Sequence, residues 1–175
     1  IRGSDPDAAL YYLACMLESG EDPRFITRRL IISASEDIGL ADPQALPMAV
    51  ACQQAVEFTG MPEGAIPLAE TVVYLALAPK SNSTYAAYRN AQKEVRQGGA
   101  RPVPLHLRNA STALQKEWGY GRGYKYPHSY PGAWVEQDYL PQALAGRVFY
   151  YPKDQGLEPR INAWRKMLGR KKPRE

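Results

Sequence analysis

The sequence predicts an all-α fold, and two observations support this prediction. Apolar residues recur at helical spacing from the start of the chain to about residue 97. Asp-Pro pairs stand at 5–6, 22–23 and 42–43, and such pairs start helices because Asp accepts hydrogen bonds from the first amides while Pro fits the first turn. We therefore expect consecutive antiparallel helices joined by short connections.

Five helices are predicted before the glycine pair at 98–99, with the ranges 4–19, 22–39, 42–60, 61–78 and 83–97. Ser4 and Ser83 are the predicted N-terminal caps of the first and fifth helices, and Gly39 is predicted to end the second. The fourth helix ends in TVVYLALA, which is apolar nearly all round and predicts a central, buried helix. Because Pro67 lacks an amide donor, we expect this helix to begin with an irregular turn.

The chain changes character after the glycine pair. Two prolines at 102 and 104 predict an extended run, and Asn109 or Ser111 is expected to cap a short helix ending near residue 118. A helical turn at 138–145, an extended piece at 147–151 and a last helix at 155–168 complete the prediction. We divide the chain into a helical bundle at 1–99 that forms the oligomerisation core, a loop-rich extension with short helices packed on that bundle at 100–169, and a disordered basic tail at 170–175.

Composition and charge limit the class of protein. The 175 residues suffice for one sizeable core, and 45% hydrophobic with 23% charged residues is ordinary for a soluble domain. No apolar run approaches the ~18 residues of a membrane span. The chain begins at Ile1 without a signal peptide, so we expect part of a longer, cytoplasmic protein.

Charge is distributed unevenly along the chain. Residues 1–100 contain 8 Lys and Arg against 12 Asp and Glu, whereas residues 101–175 contain 14 against 6. This asymmetry indicates an anionic partner, or a complementary acidic surface, for the second half. A solvated basic face with a frayed tail is the alternative.

The segment 101–134 is the most distinctive stretch. It contains both histidines, five cations, a single carboxylate and six aromatic residues, which are Trp118, Tyr120, Tyr124, Tyr126, Tyr130 and Trp134. Rings interleaved with cations can stack bases and neutralise phosphates, but such rings also pack loops onto a scaffold or onto another subunit. The candidate nucleic-acid-binding residues are Arg108, Lys116, Arg122, Tyr124, Lys125 and Tyr126.

The sequence nominates no catalytic, cofactor-binding or metal-binding residue. The glycines at 119–124 do not form GxGxxG, and GxxxxGK[ST] does not occur. Cys15 and Cys52 are expected to be small buried apolar residues, and His106 and His128 to be structural. Adjacent carboxylates at 36–37 point about 100° apart on a helix, so we expect one of them to tie a helix corner rather than share a catalytic proton.

Four phrases carry a resemblance to a known family: SDPDAALYYLACMLESGEDPRFITRRLIISASEDIGLADPQAL, PEGAIPLAETVVYLALAPKSNSTYAAY, PVPLHLRNAST and GYGRGYKYPHSYPGAW. Together they resemble the C-terminal region of the replication-associated recombination protein A family, also called maintenance of genome stability protein A. These are bacterial AAA+ ATPases related to the eukaryotic Werner-helicase-interacting protein. The resemblance covers nearly the whole chain. It implies a five-helix core similar to the collar domain of clamp loaders, followed by the irregular segment and a C-terminal helix.

The resemblance also implies a function. The chain would be the non-catalytic oligomerisation domain of a homotetrameric, DNA-dependent ATPase in replication-fork maintenance, recombination and repair, associated with the nucleoid. ATP and magnesium would belong to an ATPase module whose motifs match no position here. Partners would be single-strand/duplex DNA junctions and single-strand-binding protein. The alternative is a single-stranded or junction DNA-binding module that uses residues 101–134. An autonomous enzyme is not indicated.

Several positions match the motifs of this family, and we assign them roles in folding and assembly. They are Ser35, Glu36, Asp37, Gly39, Pro79, Lys80, Ser81, Asn82, His106, Leu107, Arg108, Asn109 and His128. Gly121, Tyr124 and Tyr126 match as well.

Overall fold

The computed structural model describes residues 1–168, and throughout that range the regular structure is helical, without a β-strand. The helices are α1 Pro6–Glu18, α2 Pro23–Ser33, α3 Ala45–Thr59, α4 Ala65–Leu77, α5 Ser83–Gly98, α6 Ala113–Glu117 and α7 Glu158–Met167. This confirms the predicted all-α fold class. The basic tail predicted at 170–175 lies outside the described residues. Within them, no helix is both long and apolar enough to cross a membrane.

The residues form two compact units. One, here called the bundle unit, comprises Ile1–Arg89 and Tyr150–Ala163; the other, the loop unit, comprises Asn90–Phe149 and residues 164–168. Helix α5 is therefore divided between the units. The boundary predicted at residue 99 stays a prediction, but the return of residues 150–163 to the bundle unit was not expected from the sequence.

Helix α4 is the central helix of the bundle unit, as its apolar sequence predicts. It packs against α1, α2 and α3. Leu68, Leu75 and Ala76 on this helix are fully buried. Around them lie core side chains from the other helices, among them Leu13, Ile26, Leu30, Ala49 and Val56.

The first two helices begin at aspartates. Asp5, not the predicted Ser4, caps α1: its carboxylate accepts from the Ala8 amide at 2.9 Å, while Ser4 lies in the left-handed region at φ 58°. Asp22 caps α2 by accepting from the Arg24 amide at 2.8 Å. The error arose because Ser and Asp are comparable caps, and only the backbone turn decides which of two neighbours is placed to accept.

Other helix starts also differ from their predicted positions. Helix α3 begins at Ala45, because Asp42 accepts from the Gln44 amide in a turn that precedes the helix. Ser83 is the first residue of α5, and its hydroxyl donates to Glu158 instead of capping that helix. Helix α7 begins at Glu158 rather than at residue 155.

Helices α4 and α6 begin with different local chemistry. Helix α4 begins at Ala65, which places Pro67 in its first turn, where an amide needs no partner within the helix. Thr112 caps α6 through a reciprocal pair of hydrogen bonds with Gln115, so neither Asn109 nor Ser111 is the cap.

Helix α2 continues beyond Ser33 as a π-helical segment, Ala34–Ile38, and Gly39 ends it as predicted. Gly39 has φ +52°, and a Cβ at this position would lie 3.1 Å from the Ser81 carbonyl oxygen. Glycine therefore permits both the turn and the close approach of the segment that carries Ser81.

Candidate functional site

Two motif segments of the bundle unit converge on one polar cleft. Residues 35–39 and 79–82 are about forty positions apart in sequence, yet both contribute to a cleft of about 300 Å³. Its lining residues are Arg2, Glu36, Asp37, Lys80, Ser81, Asn82 and Lys153. Five of these, from Glu36 to Asn82, are among the family-motif positions named from the sequence. Nothing in the sequence singled out Arg2 or Lys153.

Asp37 ties the end of the π-helical segment. Its carboxylate accepts from Arg2 Nε at 2.6 Å and from Ser33 Oγ at 2.9 Å. Glu36 accepts a longer bond from Arg2 Nη2, at 3.4 Å. The hydrogen bond and the charge of Asp37 raise the pKa of Arg2. These contacts are of the kind expected for one member of the carboxylate pair, while Ser35 is exposed.

Lys80 holds the C-terminal end of α4. Its Nζ donates to the carbonyl oxygens of Ala76 at 2.8 Å and Ala78 at 2.5 Å, which the helix itself leaves without amide partners. Burial lowers the pKa of Lys80, and the charge of Asp37 opposes that effect. Pro79 follows Ala78 and is half-buried.

Glu158 lies behind this cleft and is fully buried. Its carboxylate accepts from the Lys153 amide at 2.7 Å, from Ser81 Oγ at 2.8 Å, from Tyr150 OH at 3.1 Å and from Ser83 Oγ. Burial raises the pKa of Glu158, but these hydrogen bonds outweigh it and leave the pKa below its ordinary value. In sequence this residue looks like an ordinary exposed acid in a helical first turn, so it gave no signal.

The residues before Glu158 hold the returning segment against the bundle core. The Leu157 amide donates to the Ala41 carbonyl oxygen at 2.8 Å. Gly156 has φ +52°, and a Cβ there would lie 2.0 Å from that same oxygen. Lys153 Nζ donates to Asn82 Oδ1 at 2.6 Å. Each charged side chain of the cleft thus contacts another protein group, an arrangement typical of a structural tie.

The candidate nucleic-acid residues lie in the loop unit, and five of the six are exposed: Lys116, Arg122, Tyr124, Lys125 and Tyr126. Trp118, which lies between them in sequence, is 57% exposed. Lys116 lies in α6, and Arg122 lies in the glycine-rich turn at 119–123, where Gly119, Gly121 and Gly123 all have positive φ. Tyr124, Lys125 and Tyr126 follow that turn. Exposed cations and exposed rings therefore lie within eleven consecutive residues of the chain, 116–126.

Arg108 is the exception among the six. Its Nε donates to the Val103 carbonyl oxygen at 2.7 Å and its Nη1 to Tyr120 OH at 3.1 Å, and the guanidinium lies 5.1 Å from the centre of the Tyr120 ring. The side chain of Arg108, which is half-buried, therefore connects the segment 103–108 to the glycine-rich turn at 119–123. Two of its N–H donors are therefore occupied by hydrogen bonds within the loop unit.

The two histidines also have local partners. His106 Nε2 lies 2.8 Å from the Asp138 carbonyl oxygen. His128 lies with its ring 5.2 Å from that of Tyr126. Of their motif neighbours, Leu107 ends a 3₁₀ turn and is half-buried, and Asn109 is exposed.

A side-chain amide that the sequence did not single out holds the aromatic stretch. Gln137 Oε1 accepts from the Lys125 amide at 3.2 Å, and Gln137 Nε2 donates to the Lys125 carbonyl oxygen at 2.9 Å and to Tyr139 OH at 3.0 Å. Lys125 Nζ also donates to the Glu136 carbonyl oxygen at 3.3 Å. A glutamine in irregular chain has no sequence signature, so only the fold reveals this contact.

One cysteine differs from its predicted environment. Cys52 is buried as expected, and burial raises the pKa of its thiol. Cys15 is exposed, because it lies on the outer face of α1, opposite the core residue Leu13. Among residues 1–168, no three His, Cys, Asp or Glu side chains come together in a group able to hold a metal ion.

The chain has clear relatives. Residues 3–168 match the family described as MgsA AAA+ ATPase C terminal. The chain is 47% identical to Replication-associated recombination protein A of Coxiella burnetii, over 92% of this chain and 37% of the relative, and 49% identical to the protein of that name in Bacillus subtilis, over 89% and 37%. An uncharacterized protein of Thermotoga maritima is 53% identical over 92% of this chain and 26% of its own length.

The chain therefore spans roughly a quarter to two fifths of the length of these relatives. The family match and the identities confirm the resemblance drawn from the four sequence phrases. The chain belongs to the MgsA AAA+ ATPase C-terminal family.

Proposed function

We propose that this chain is the non-catalytic oligomerisation domain of a AAA+ protein that acts in replication-associated recombination. The family supports the place in a AAA+ protein, and the names of the Coxiella and Bacillus relatives support the process. The polar cleft supports a structural role, since each of its charged side chains contacts another group of the protein. The observation that carries assembly is an exposed apolar face on the bundle unit.

This apolar face lies on the central helix and its neighbour. Ile66 and Leu77 on α4 are 70% and 65% exposed, and their spacing of eleven residues places them on one side of the helix, together with the half-buried Val73. Phe58, near the end of α3, is 93% exposed, and residues 60–64 connect α3 to α4. Grouped apolar side chains of this kind are typical of contact surfaces.

A second copy of the chain is the occupant proposed for this face. When the same face of two copies meets, the symmetric contact closes as a dimer, and a homotetramer forms when two such dimers join through a second, different contact. Each Å² of apolar surface removed from water would contribute about 25 cal/mol.

The remaining properties belong to the whole protein and are part of the same proposal. ATP and magnesium would bind an ATPase module in another part of it. The assembled protein would act in the cytoplasm, at the nucleoid, on single-strand/duplex junctions of stalled replication forks, together with single-strand-binding protein. The resemblance of the four phrases supports these assignments, while the names of the relatives support only the link to replication-associated recombination.

Light scattering coupled to size exclusion tests the oligomer. We expect the 175-residue chain to elute with about four times its mass of 19.5 kDa, without a change of mass across a hundredfold dilution into the low micromolar range. A mass of one chain at micromolar concentration would contradict the proposal.

A nucleic-acid-binding module is the second candidate, and charge favours it. Among the described residues, the loop unit contains 10 Lys and Arg against 4 Asp and Glu, whereas the bundle unit contains 8 against 13. A concentrated positive charge attracts a polyanion, and such binding weakens steeply as salt rises. Titration of a fluorescent oligonucleotide at low and high salt tests it. No binding at low salt would dismiss this candidate.

A further inference from the structure

We propose that the exposed aromatic surface of the loop unit stacks the bases of a single-stranded nucleic acid, and that the Gln137 amide holds this surface in its binding conformation. The inference rests on the second candidate function and specifies its ligand. The surface comprises Lys116, Trp118, Arg122, Tyr124, Lys125 and Tyr126, and is called the stacking surface below.

The rings of the stacking surface are available to a ligand. Trp118 and Tyr126 are each 57% exposed and Tyr124 is 45% exposed. Exposing so much aromatic area to water is unfavourable unless a partner covers it. Three cations, Lys116, Arg122 and Lys125, are interleaved with them and are exposed too.

This combination selects a single strand among polyanions. Phosphates of any nucleic acid would attract the cations, but only unstacked bases offer flat faces to the rings, because a duplex already stacks its bases internally. An acidic peptide would satisfy the cations and leave the rings exposed. Single-stranded nucleic acid is therefore the matching ligand, because its phosphates pair with the cations and its bases stack on the rings.

The surroundings of the stacking surface are fixed by the loop unit itself. Arg108 joins the turn 119–123 to the preceding chain through Tyr120, and the Gly121 amide donates to the Leu105 carbonyl oxygen at 2.9 Å. These contacts fix the position of the turn 119–123, which carries Arg122. They also remove Arg108 from the groups free to contact a ligand.

Gln137 fixes the part that carries the two tyrosines. Its amide makes hydrogen bonds with both the amide and the carbonyl group of Lys125, the residue between Tyr124 and Tyr126. Such a two-point contact restricts rotation of the backbone where the rings project. Gln137 is thus a positioning residue, since it holds the rings without belonging to their exposed faces.

Anisotropy titrations of the whole 175-residue chain test the proposal with three probes of equal length: single-stranded oligo-dT, an abasic oligomer with the same phosphates, and a duplex. We expect the strongest binding to oligo-dT. Tyr124→Ala and Tyr126→Ala should each weaken it about tenfold and leave abasic binding unchanged, whereas Arg122→Ala should weaken both. Tyr12→Ala, which removes an exposed ring from the bundle unit, is the matched control and should bind as the wild type does.

Gln137→Ala should reduce the preference for oligo-dT over the abasic oligomer. The salt dependence of binding, which reflects the number of phosphate contacts, should stay as in the wild type.

An oligo-rU probe identifies whether DNA or RNA is the better ligand. Equal affinity for oligo-dT and the abasic oligomer overturns the stacking proposal but leaves nucleic-acid binding standing. Absence of binding to every probe overturns both. Displacement of oligo-dT by poly-glutamate at matched charge overturns it in favour of an acidic protein partner.

Discussion

At the scale of single residues, Gly156 is where the fold tolerates a side chain least. A Cβ at this position would lie 2.0 Å from the Ala41 carbonyl oxygen and 2.8 Å from Pro79, and the backbone has φ +52°. Gly156→Ala should therefore lower the free energy of unfolding by roughly 2–4 kcal/mol, from steric overlap together with left-handed strain. Chemical denaturation monitored by circular dichroism measures this loss.

Gly20→Ala is the matched control for Gly156. Gly20 also has positive φ, +81°, but has open space where a Cβ would stand. Its substitution should cost about 1–2 kcal/mol, the conformational strain alone. Equal losses for the two variants would show that the close approach of residue 156 to the core does not constrain the folded chain.

Glu158 makes stability dependent on pH in a defined direction. Its folded pKa lies below the ordinary 4.5, so below that pH the unfolded chain binds more protons than the folded one. The stability that the carboxylate contributes is complete above pH 4.5 and is lost as pH falls through the folded pKa. Glu158→Gln should lose about 1–3 kcal/mol at neutral pH, because charge-assisted bonds disappear.

The free energy of unfolding, measured by urea denaturation at several values from pH 7 to pH 3, tests this contribution of Glu158. The decline of stability in acid should be shallower in Glu158→Gln than in the wild type. Glu70→Gln, which changes an exposed carboxyl of the same unit, should keep the wild-type profile. A Glu158→Gln profile parallel to that of the wild type would mean that folding does not change the pKa of this carboxyl, and would contradict the prediction.

At the scale of elements, α4 is buried on one side and exposed on the other. Leu75 is fully buried in the core, whereas Leu77, two positions later, is 65% exposed. Leu75→Ala should cost roughly 2–5 kcal/mol through lost burial and the cavity that remains. Leu77→Ala should change the stability of the isolated fold by less than about 0.5 kcal/mol.

Thermal denaturation of the two leucine variants at equal concentration measures this difference, with each variant combined with Ile66→Glu so that the proposed contact between copies is disrupted. The comparison is matched because the same atoms are removed from the same helix. If the two variants lose equal stability, then either Leu77 is covered in solution or α4 packs differently from the arrangement described above.

At the scale of the whole molecule, assembly should depend on the apolar face and not on the aromatic loop unit. Ile66→Glu places a charge in the middle of a proposed contact between copies, where its desolvation is unfavourable. We expect light scattering to report smaller assemblies for this variant, with unchanged helical content. Tyr126→Ala in the loop unit is the control and should keep the mass of the wild type. A wild-type mass for Ile66→Glu would move the contact to another surface.

Much of the fold could be predicted from the sequence because its signals are local. Asp22 caps a helix and Gly39 ends one through contacts within one or two turns. The apolar run at the end of α4 predicts a buried helix whatever its neighbours are. The same holds for the charge asymmetry, which depends only on composition. Most errors fell at helix boundaries such as Ser4, where two neighbouring residues offer similar cap chemistry, and one concerned Cys15, which is exposed rather than buried.

The candidate sites depended far more on tertiary structure. The exposed rings and cations at 116–126 were visible in the sequence as a class of side chains, but the local use of Arg108 and the contact of Gln137 with Lys125 were not. Both are contacts across irregular chain, and irregular chain has no period from which pairs of residues could be inferred.

The sequence by itself determined the all-α class, the central apolar helix, the aromatic and basic segment and the family. Only the tertiary structure decided that residues 150–163 belong with the bundle, that Glu158 is a buried acceptor, and that Gly156 must be a glycine. The physical reason is separation: Ser81 and Glu158 lie 77 residues apart in the chain. Helical periodicity extends over a few turns, whereas such contacts exist only once the chain has folded.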